Sequence, residues 1–507
     1  MFCDAKTLHG GDNFLSMQTS VRDDLAMISP REKIVGTLAF ITVAYTAWAL
    51  AGKATSAPPI FTTMAALTAV VSVLLARRDR IAFHWAAFVP LAAFAVLVGA
   101  SLFNLSYMPV PGVPGKWEWV QDWIKGLPST VDRATTLKEV LPWLAAFLLG
   151  GALRQAAFDR MGVRWLWGAL VIHGFLVAMV GVWFYFADNS LILGLYRDPY
   201  GYHFASFIYR NHWAAYVILL VTLALGFAMS ALRRWRTERA GLDVVLPGIG
   251  LALLIALTLP MPGSRSGMVV VCLLFLGAFS YMGWVLVRTR GKGKSLAARW
   301  LPVLLLTGFL GLTIGAGVGL NVGGIQKHIK RTESQLRGLG DGEQDLRWKL
   351  TRDTTRMAMD RPVWGWGVGS FGIIFPKYQG DYLRDKNGLI TGRVLNAHND
   401  WAHMWAETGV IGMIVLVTPL VWLLRACWLS RGVLARWGGG AVVVILAYAL
   451  VDFPLHCPAV FLLWITVLCT AAPPGVKLMA KRARPERTSR RVRGSGRERA
   501  QPGVQPM

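Results

Sequence analysis

The densest run of residues able to do chemistry is Asn396-Ala-His398-Asn-Asp-Trp-Ala-His403-Met-Trp-Ala-Glu407-Thr-Gly409. Imidazoles and carboxylates at this density point to proton transfer or to metal ligation. On a helix, Asp400, His403 and Glu407 share one face, as a metal site would need. The spacing is not His-Glu-x-x-His, however, and His398 lies about 140° round from His403. The expectation is therefore no metal and no cofactor. Trp401 and Trp405 read equally well as residues of an aromatic belt at a membrane boundary.

A second candidate is the tight turn Pro262-Gly-Ser-Arg265-Ser-Gly267 between two apolar runs. Its arginine could be a snorkelling anchor. Flanked by Gly and Ser, it also presents a planar fork next to backbone N–H groups, which suits a phosphate better than a headgroup brace. Arg347, Arg352 and Arg356 form a third group. Arg352 and Arg356 share a helical face, whereas Arg347 points about 140° away from Arg352. With Asp353 and Asp360 nearby, a solvated, salt-bridged face accounts for most of this group, and one of the three arginines is expected to be special.

The elements that position these residues are membrane spans. Hydrophobic residues make up 54% of the 507-residue chain and charged residues 16%, against about 25% charged in soluble domains. The apolar residues fall in long uncharged runs, the signature of an all-α polytopic membrane protein. Candidate spans are 34–51, 58–76, 81–103, 140–153, 165–187, 212–232, 244–261, 268–287, 300–320, 409–424, 439–455 and 458–473, about twelve helices in all. The net charge of +25 would suggest nucleic acid in a soluble protein, but the membrane explains it without that partner. The cysteines Cys3, Cys272, Cys427, Cys457 and Cys469 form no CxxC, so neither a disulfide framework nor a zinc site follows.

Basic residues set the orientation. Alternate links carry Arg77, Arg78 and Arg80; Arg154, Arg160 and Arg164; Arg233, Arg234, Arg236 and Arg239; and Arg425, Arg431 and Arg436. The opposite short links hold far fewer, among them Lys53, Arg197 and Arg265. Both termini are then cytoplasmic. Residues 1–33 form an N-terminal segment without a signal-peptide h-region, 34–475 the membrane domain, and 476–507 a basic, low-complexity tail. Two extracytoplasmic segments stand out, about 104–139 and 321–408, and long loops in compact folds are usually functional. Within the larger, Glu343–Asp360 reads as a helix that stops before Pro362. His398 and Arg265 thus share one outer boundary.

Taken in order, these pieces resemble the O-antigen ligase family, which includes O-antigen and exopolysaccharide polymerases and bacterial O-linked protein oligosaccharyltransferases. His398-Asn399, nine residues, then Gly409-Val-Ile-Gly412 looks like the family's H-[NSQ]-x9-G-x-x-G signature. Arg210-Asn211-His-Trp-Ala-Ala-Tyr216, Ser264-Arg-Ser-Gly267, Arg347 fifteen residues before Pro362, Pro362-Val-Trp-Gly-Trp-Gly-Val-Gly-Ser-Phe371 and Asp452-Phe-Pro-Leu455 agree as well. The resemblance spans roughly 200–460. Met413 departs from it, standing where ligases often carry Thr.

The resemblance implies a C-type membrane fold and a metal-independent, inverting glycosyltransferase of the bacterial inner membrane, its site facing the periplasm. Its donor would be a glycan on undecaprenyl pyrophosphate, and its acceptor a hydroxyl of a lipid, glycan or protein. Arg265 and Arg347 would bind the pyrophosphate and His398 would contact or deprotonate the acceptor, with Arg210, Asn211 and Asn399 in support. The rival is a polysaccharide or lipid-linked oligosaccharide transporter or flippase. Transporters place ionisable groups near the midplane. Here only His84 and His173 lie deep, and the polar groups gather at one outer surface. The orientation predicts that reporter fusions after Gly340 are active outside the cytoplasm and those after Arg236 inside it; the reverse pattern would overturn the topology.

Overall fold

The computed structural model describes residues 28–79, 85–110, 117–187, 190–198, 203–238, 245–288, 346–383 and 394–473, with 308 and 311 as isolated positions. The expected span at 300–320 and the basic tail lie outside the described residues. The helices among the described residues are α1 (Pro30–Trp48), α2 (Ala57–Arg78), α3 (Val89–Phe103), α4 (Arg133–Glu139), α5 (Leu141–Ala156), α6 (Arg160–Ala187), α7 (Arg210–Glu238), α8 (Leu246–Ala256) and α9 (Arg265–Arg288). After the gap come α10 (Leu346–Asp360), α11 (Asp400–Leu429), α12 (Val433–Tyr448) and α13 (Pro458–Ala471). Each of the other expected spans overlaps one of these helices, four of which are short apolar helices of 11 to 16 residues.

Six stretches are long and apolar enough to cross a membrane: α2, α4 with α5, α6, α7, α9 and α11. Their packing sorts them. The apolar stretch of α7 is 89% buried, against 28–50% for the other five. It is the central post, contacted by α6, α8, α9, α12 and α13. The others turn a greasy face outward, for example Leu67, Val70 and Leu74 on α2 and Ile172, Leu176 and Trp183 on α6. Soluble proteins rarely show such contiguous apolar faces. The chain is a multi-pass membrane protein.

The segments expected outside the membrane fold together as one cap. Tyr107 and Val131 from the first share a core with Leu350, Met357, Trp366, Phe371 and Phe375 from the second, and with Ala397 and Ala406. In the first segment, strand β1 (Tyr107–Pro109) pairs antiparallel with β2 (Trp117–Trp119). The Thr136 hydroxyl donates to the Val368 carbonyl at 2.7 Å, Arg361 reaches the Ser129 hydroxyl at 2.8 Å, and Trp364 Nε1 donates to the Gly126 carbonyl at 2.7 Å.

Two of the boundaries that differ from the sequence reading lie at the site. α11 begins at Asp400, nine residues before the expected start at Gly409, because Asn399 caps it: its extended backbone lets the side chain accept the Ala402 N–H at 3.1 Å. The helix then kinks at Gly409 (φ 62°, ψ −173°). The kink releases the N–H groups of Val410 and Ile411 to the carbonyls of Pro362 (2.8 Å) and Val363 (3.1 Å). At the other boundary, α12 stops at Tyr448 rather than running to Leu455. Asp452-Phe-Pro-Leu455 is a separate turn, held where its own backbone amides meet carboxylates.

The kink gives a direct test. A Cβ at Gly409 would meet the Val363 carbonyl oxygen at 2.3 Å, at a φ that L side chains rarely adopt. Gly440, inside α12, would meet nothing within 4 Å. Gly409→Ala should lower the apparent melting temperature in detergent sharply, while Gly440→Ala should leave it unchanged or raise it by the gain in helix propensity, roughly 1 kcal/mol. Equal behaviour would mean that the kink is not required.

Candidate active site

The site is built around one buried carboxylate, Asp452, in the turn between α12 and α13. Its Oδ2 accepts the Asn211 side-chain N–H at 2.5 Å and lies 3.4 Å from Arg347 Nη2. Its Oδ1 accepts the N–H of Phe453 at 2.9 Å. Asn211, at the start of α7, also donates to the Tyr209 hydroxyl (2.9 Å) and accepts from the Ser264 hydroxyl at 2.8 Å. Ser266 pairs with the Tyr448 hydroxyl at 2.9 Å. The two serines flanking Arg265 are therefore tied to α7 and α12, which fixes where that arginine starts from. Arg265 is itself the first residue of α9 and half-buried.

His398 reaches the same turn from α11. It precedes the cap residue Asn399 and sits in the left-handed region at φ 54°, a conformation that costs a non-glycine residue energy and tends to mark functional sites. Its ring meets the Phe453 ring edge-on at 4.7 Å and lies 6.4 Å from that of Tyr209. Tyr209 stacks on Phe453 at 5.2 Å. Phe453 is thus a hydrophobic floor between the histidine and the tyrosine, one residue from the carboxylate that holds Arg347.

The electrostatics follow from burial. Desolvation pushes the Asp452 carboxyl up to about 6, against the pull of Arg347, the Phe453 N–H and Asn211. Burial and the Asp452 charge push the Tyr209 hydroxyl up to about 12, with Arg347 and Arg210 opposing. Arg210 and Arg347 therefore act on one spot although 137 residues separate them in sequence.

Of the six residues singled out from sequence, Arg347, His398 and Asn211 reach this turn directly, Arg210 acts on Tyr209 beside it, and Arg265 lies between the two serines tied to Asn211 and Tyr448. Asn399 lies next to them, its side chain spent on the helix cap. The helical-wheel reading of α10 holds: Arg347 faces Asp452, while Arg352 and Arg356 lie on the other side, each 3.5 Å from Asp353. Asp353 itself is buried rather than solvated, and accepts from Gly380 N–H (3.1 Å) and the Tyr382 hydroxyl (2.8 Å). Asp400, His403 and Glu407 do not converge on a common point. Asp400 accepts from the Leu455 N–H at 2.8 Å and pairs with His456 at 2.5 Å, while Glu407 accepts the Phe371 N–H at 3.0 Å and lies 3.4 Å from His403. Among the described residues no group of three or more such side chains is arranged to hold a metal. His456 carries a raised pKa: burial opposes its charge, and the Asp400 carboxylate outweighs the burial.

Sequence reasoning passed over Tyr209, Tyr448 and His456, and took Asp452 only as part of a family motif. The signal available was Asp452-Phe-Pro-Leu-His456, a carboxylate and an imidazole flanking a proline turn directly after a span.

Residues 249–417 match the family described as O-Antigen ligase. This stretch is similar to O-antigen ligase domains. The matched stretch contains Arg265, Arg347, His398, Asn399 and both glycines of the α11 signature. Arg210, Asn211 and Asp452 lie outside it but dock onto it. No curated protein matches the chain. The match supports a membrane glycosyltransferase-like function.

Asp452 provides a pH test. Its folded pKa of about 6 lies above the ordinary 3.8, so its contribution to stability is fully present below about pH 4 and is lost as pH rises through 6. Asp452→Asn should melt higher than wild type at pH 8, by an amount equivalent to roughly 3 kcal/mol, and the gap should close towards pH 4. A gap independent of pH would contradict the burial of an ionisable carboxyl there.

Proposed function

We propose that the protein transfers a glycan from undecaprenyl pyrophosphate to a hydroxyl of a lipid, glycan or protein acceptor at the periplasmic face of the inner membrane. The observation that supports this reading is that Arg347 and His398 reach the single turn Asp452–Phe453 from separate segments, while the serines flanking Arg265 are bonded to Asn211 and Tyr448 beside it. In this reading the two guanidiniums grip the pyrophosphate. Arg265 does so at the N-terminus of α9, where the helix dipole adds to the attraction for an anion.

The acceptor oxygen attacks the anomeric carbon from the face opposite the phosphate, so the configuration inverts. The sugar–phosphate bond breaks, the pyrophosphate takes the electron pair, and the arginines neutralise the developing charge. His398 accepts the acceptor's proton; an imidazole has a near-neutral pKa, and general-base help of this kind contributes about 10²–10⁴-fold. Arg347 is already held by Asp452, so its reorganisation on donor binding is small. The reaction needs no metal in this scheme, because the leaving group is good and two cations already face it.

The two kinds of residue should fail differently. Arg265→Lys keeps the charge but loses the fork, and should abolish most transfer by weakening donor binding. His398→Ala should bind the carrier-linked donor nearly as wild type does and turn over at least about 10²-fold more slowly. Donor binding and transfer are measured in parallel on variants shown to accumulate normally. An active Arg265→Lys, or a His398→Ala defective mainly in donor binding, would refute these roles.

A further inference from the structure

The cap carries an aromatic assembly that the transfer site does not use. The Arg361 guanidinium lies 4.0 Å from the ring centre of Trp366, 4.3 Å from Trp123 and 5.2 Å from Trp119. It also donates to the hydroxyls of Ser106 (3.2 Å) and Ser129 (2.8 Å). Lys377 sits 4.0 Å from the Tyr107 ring centre and 5.4 Å from that of Trp119. Each cation–π contact contributes on the order of 1 kcal/mol, so together they hold the indoles in fixed orientations. Trp119 and Trp123 end up nearly parallel, 19° apart with centres separated by 6.2 Å. Trp119 is nonetheless 50% exposed. Gln121, Asp122 and Lys125, beside these rings in sequence, are exposed as well.

A rigid, outward aromatic plate edged with hydrogen-bonding side chains matches the chemistry of a pyranose. One face of the sugar offers C–H groups to the negative face of the ring, and its rim offers hydroxyls to the polar side chains. The fold has already paid the ordering cost of the rings. The location narrows the occupant further. Arg347 and Arg361 bracket α10, fourteen residues apart, which is about 21 Å along a helix. The plate is therefore too far from the pyrophosphate end to meet the first sugar, and within reach of sugars further along the glycan.

We propose that Trp119 and Trp123 form a second glycan subsite, stacking on pyranose rings of the carrier-linked chain a few sugars away from the bond that is cut. The subsite rests on the donor being a lipid-linked glycan, as proposed above. Its test uses donors isolated from the host's own membranes and separated into a single-repeat fraction and a long-chain fraction. Trp119 is the outermost of the three indoles around Arg361, so Trp119→Ala leaves the two closer rings in place. It should raise KM for the long-chain donor roughly tenfold with kcat unchanged, and should leave the single-repeat donor as in wild type. Trp119→Phe, which keeps a stacking face, should restore most of the loss.

Binding is measured separately, by saturation-transfer NMR with the glycan released from its carrier. The wild type should show contacts that Trp119→Ala loses. If those contacts persist while wild type transfers from neither donor, the transfer reading fails and the subsite stands. Equal losses on short and long donors would mean that Trp119 only braces the cap or anchors it in lipid, and the absence of glycan contacts in the wild type would likewise overturn the subsite.

Discussion

Placing a carboxylate out of water at one end of a helix bundle is the constraint to which the other contacts answer. An isolated buried charge is costly, and it persists only when it is paired and hydrogen-bonded. Asp452 meets this demand with Asn211 from α7, Arg347 from α10 and its own Phe453 amide. Each partner brings a further segment with it. Asn211 brings the Ser264 turn, and through that turn Arg265. Phe453 brings the rings of His398 and Tyr209. Satisfying one group therefore brings Arg347 and His398, far apart in sequence, to one turn and ties down the segment that carries Arg265.

A second buried carboxylate repeats the arrangement one layer away. Asp400 opens α11, takes the Leu455 amide and pairs with His456, so the turn that carries Asp452 is gripped from both ends. Backbone contacts add to the side-chain pairs that seat the cap. Gly367 approaches so closely that a Cβ there would meet the Ser129 carbonyl oxygen at 2.5 Å, and its N–H donates to the Glu407 carbonyl at 2.8 Å. The Gly409 kink makes room in the same way, since a Cβ there would meet the Val363 backbone. The glycines let the loop between α10 and the aromatic core lie directly on the helix that presents the histidine.

Local information carried much of this into the sequence. Long apolar runs marked the spans because hydrocarbon requires them, and the 100° step of a helix separated Arg347 from Arg352 and Arg356 before any contact was known. The early start of α11 was hidden because Asp400–Thr408 is polar and reads as loop, although its Asn399 cap was in plain view. The turn at Asp452 was hidden for a different reason. Its partners lie 105 and 241 residues away, and no local period encodes such pairings. The union of the two outer segments into one cap was beyond pattern reading too, since it depends on a shared core and not on either segment alone.

The central claim is that the gathered arginines and histidine cut a sugar–phosphate bond rather than move an intact lipid. The most direct measurement is the fate of the carrier when purified protein, carrier-linked glycan and acceptor are combined in liposomes. The account predicts free polyprenyl pyrophosphate appearing in a one-to-one ratio with glycosylated acceptor, with the new glycosidic bond inverted relative to the donor. Glycan that crosses the bilayer still joined to its carrier, with no pyrophosphate released, would contradict it.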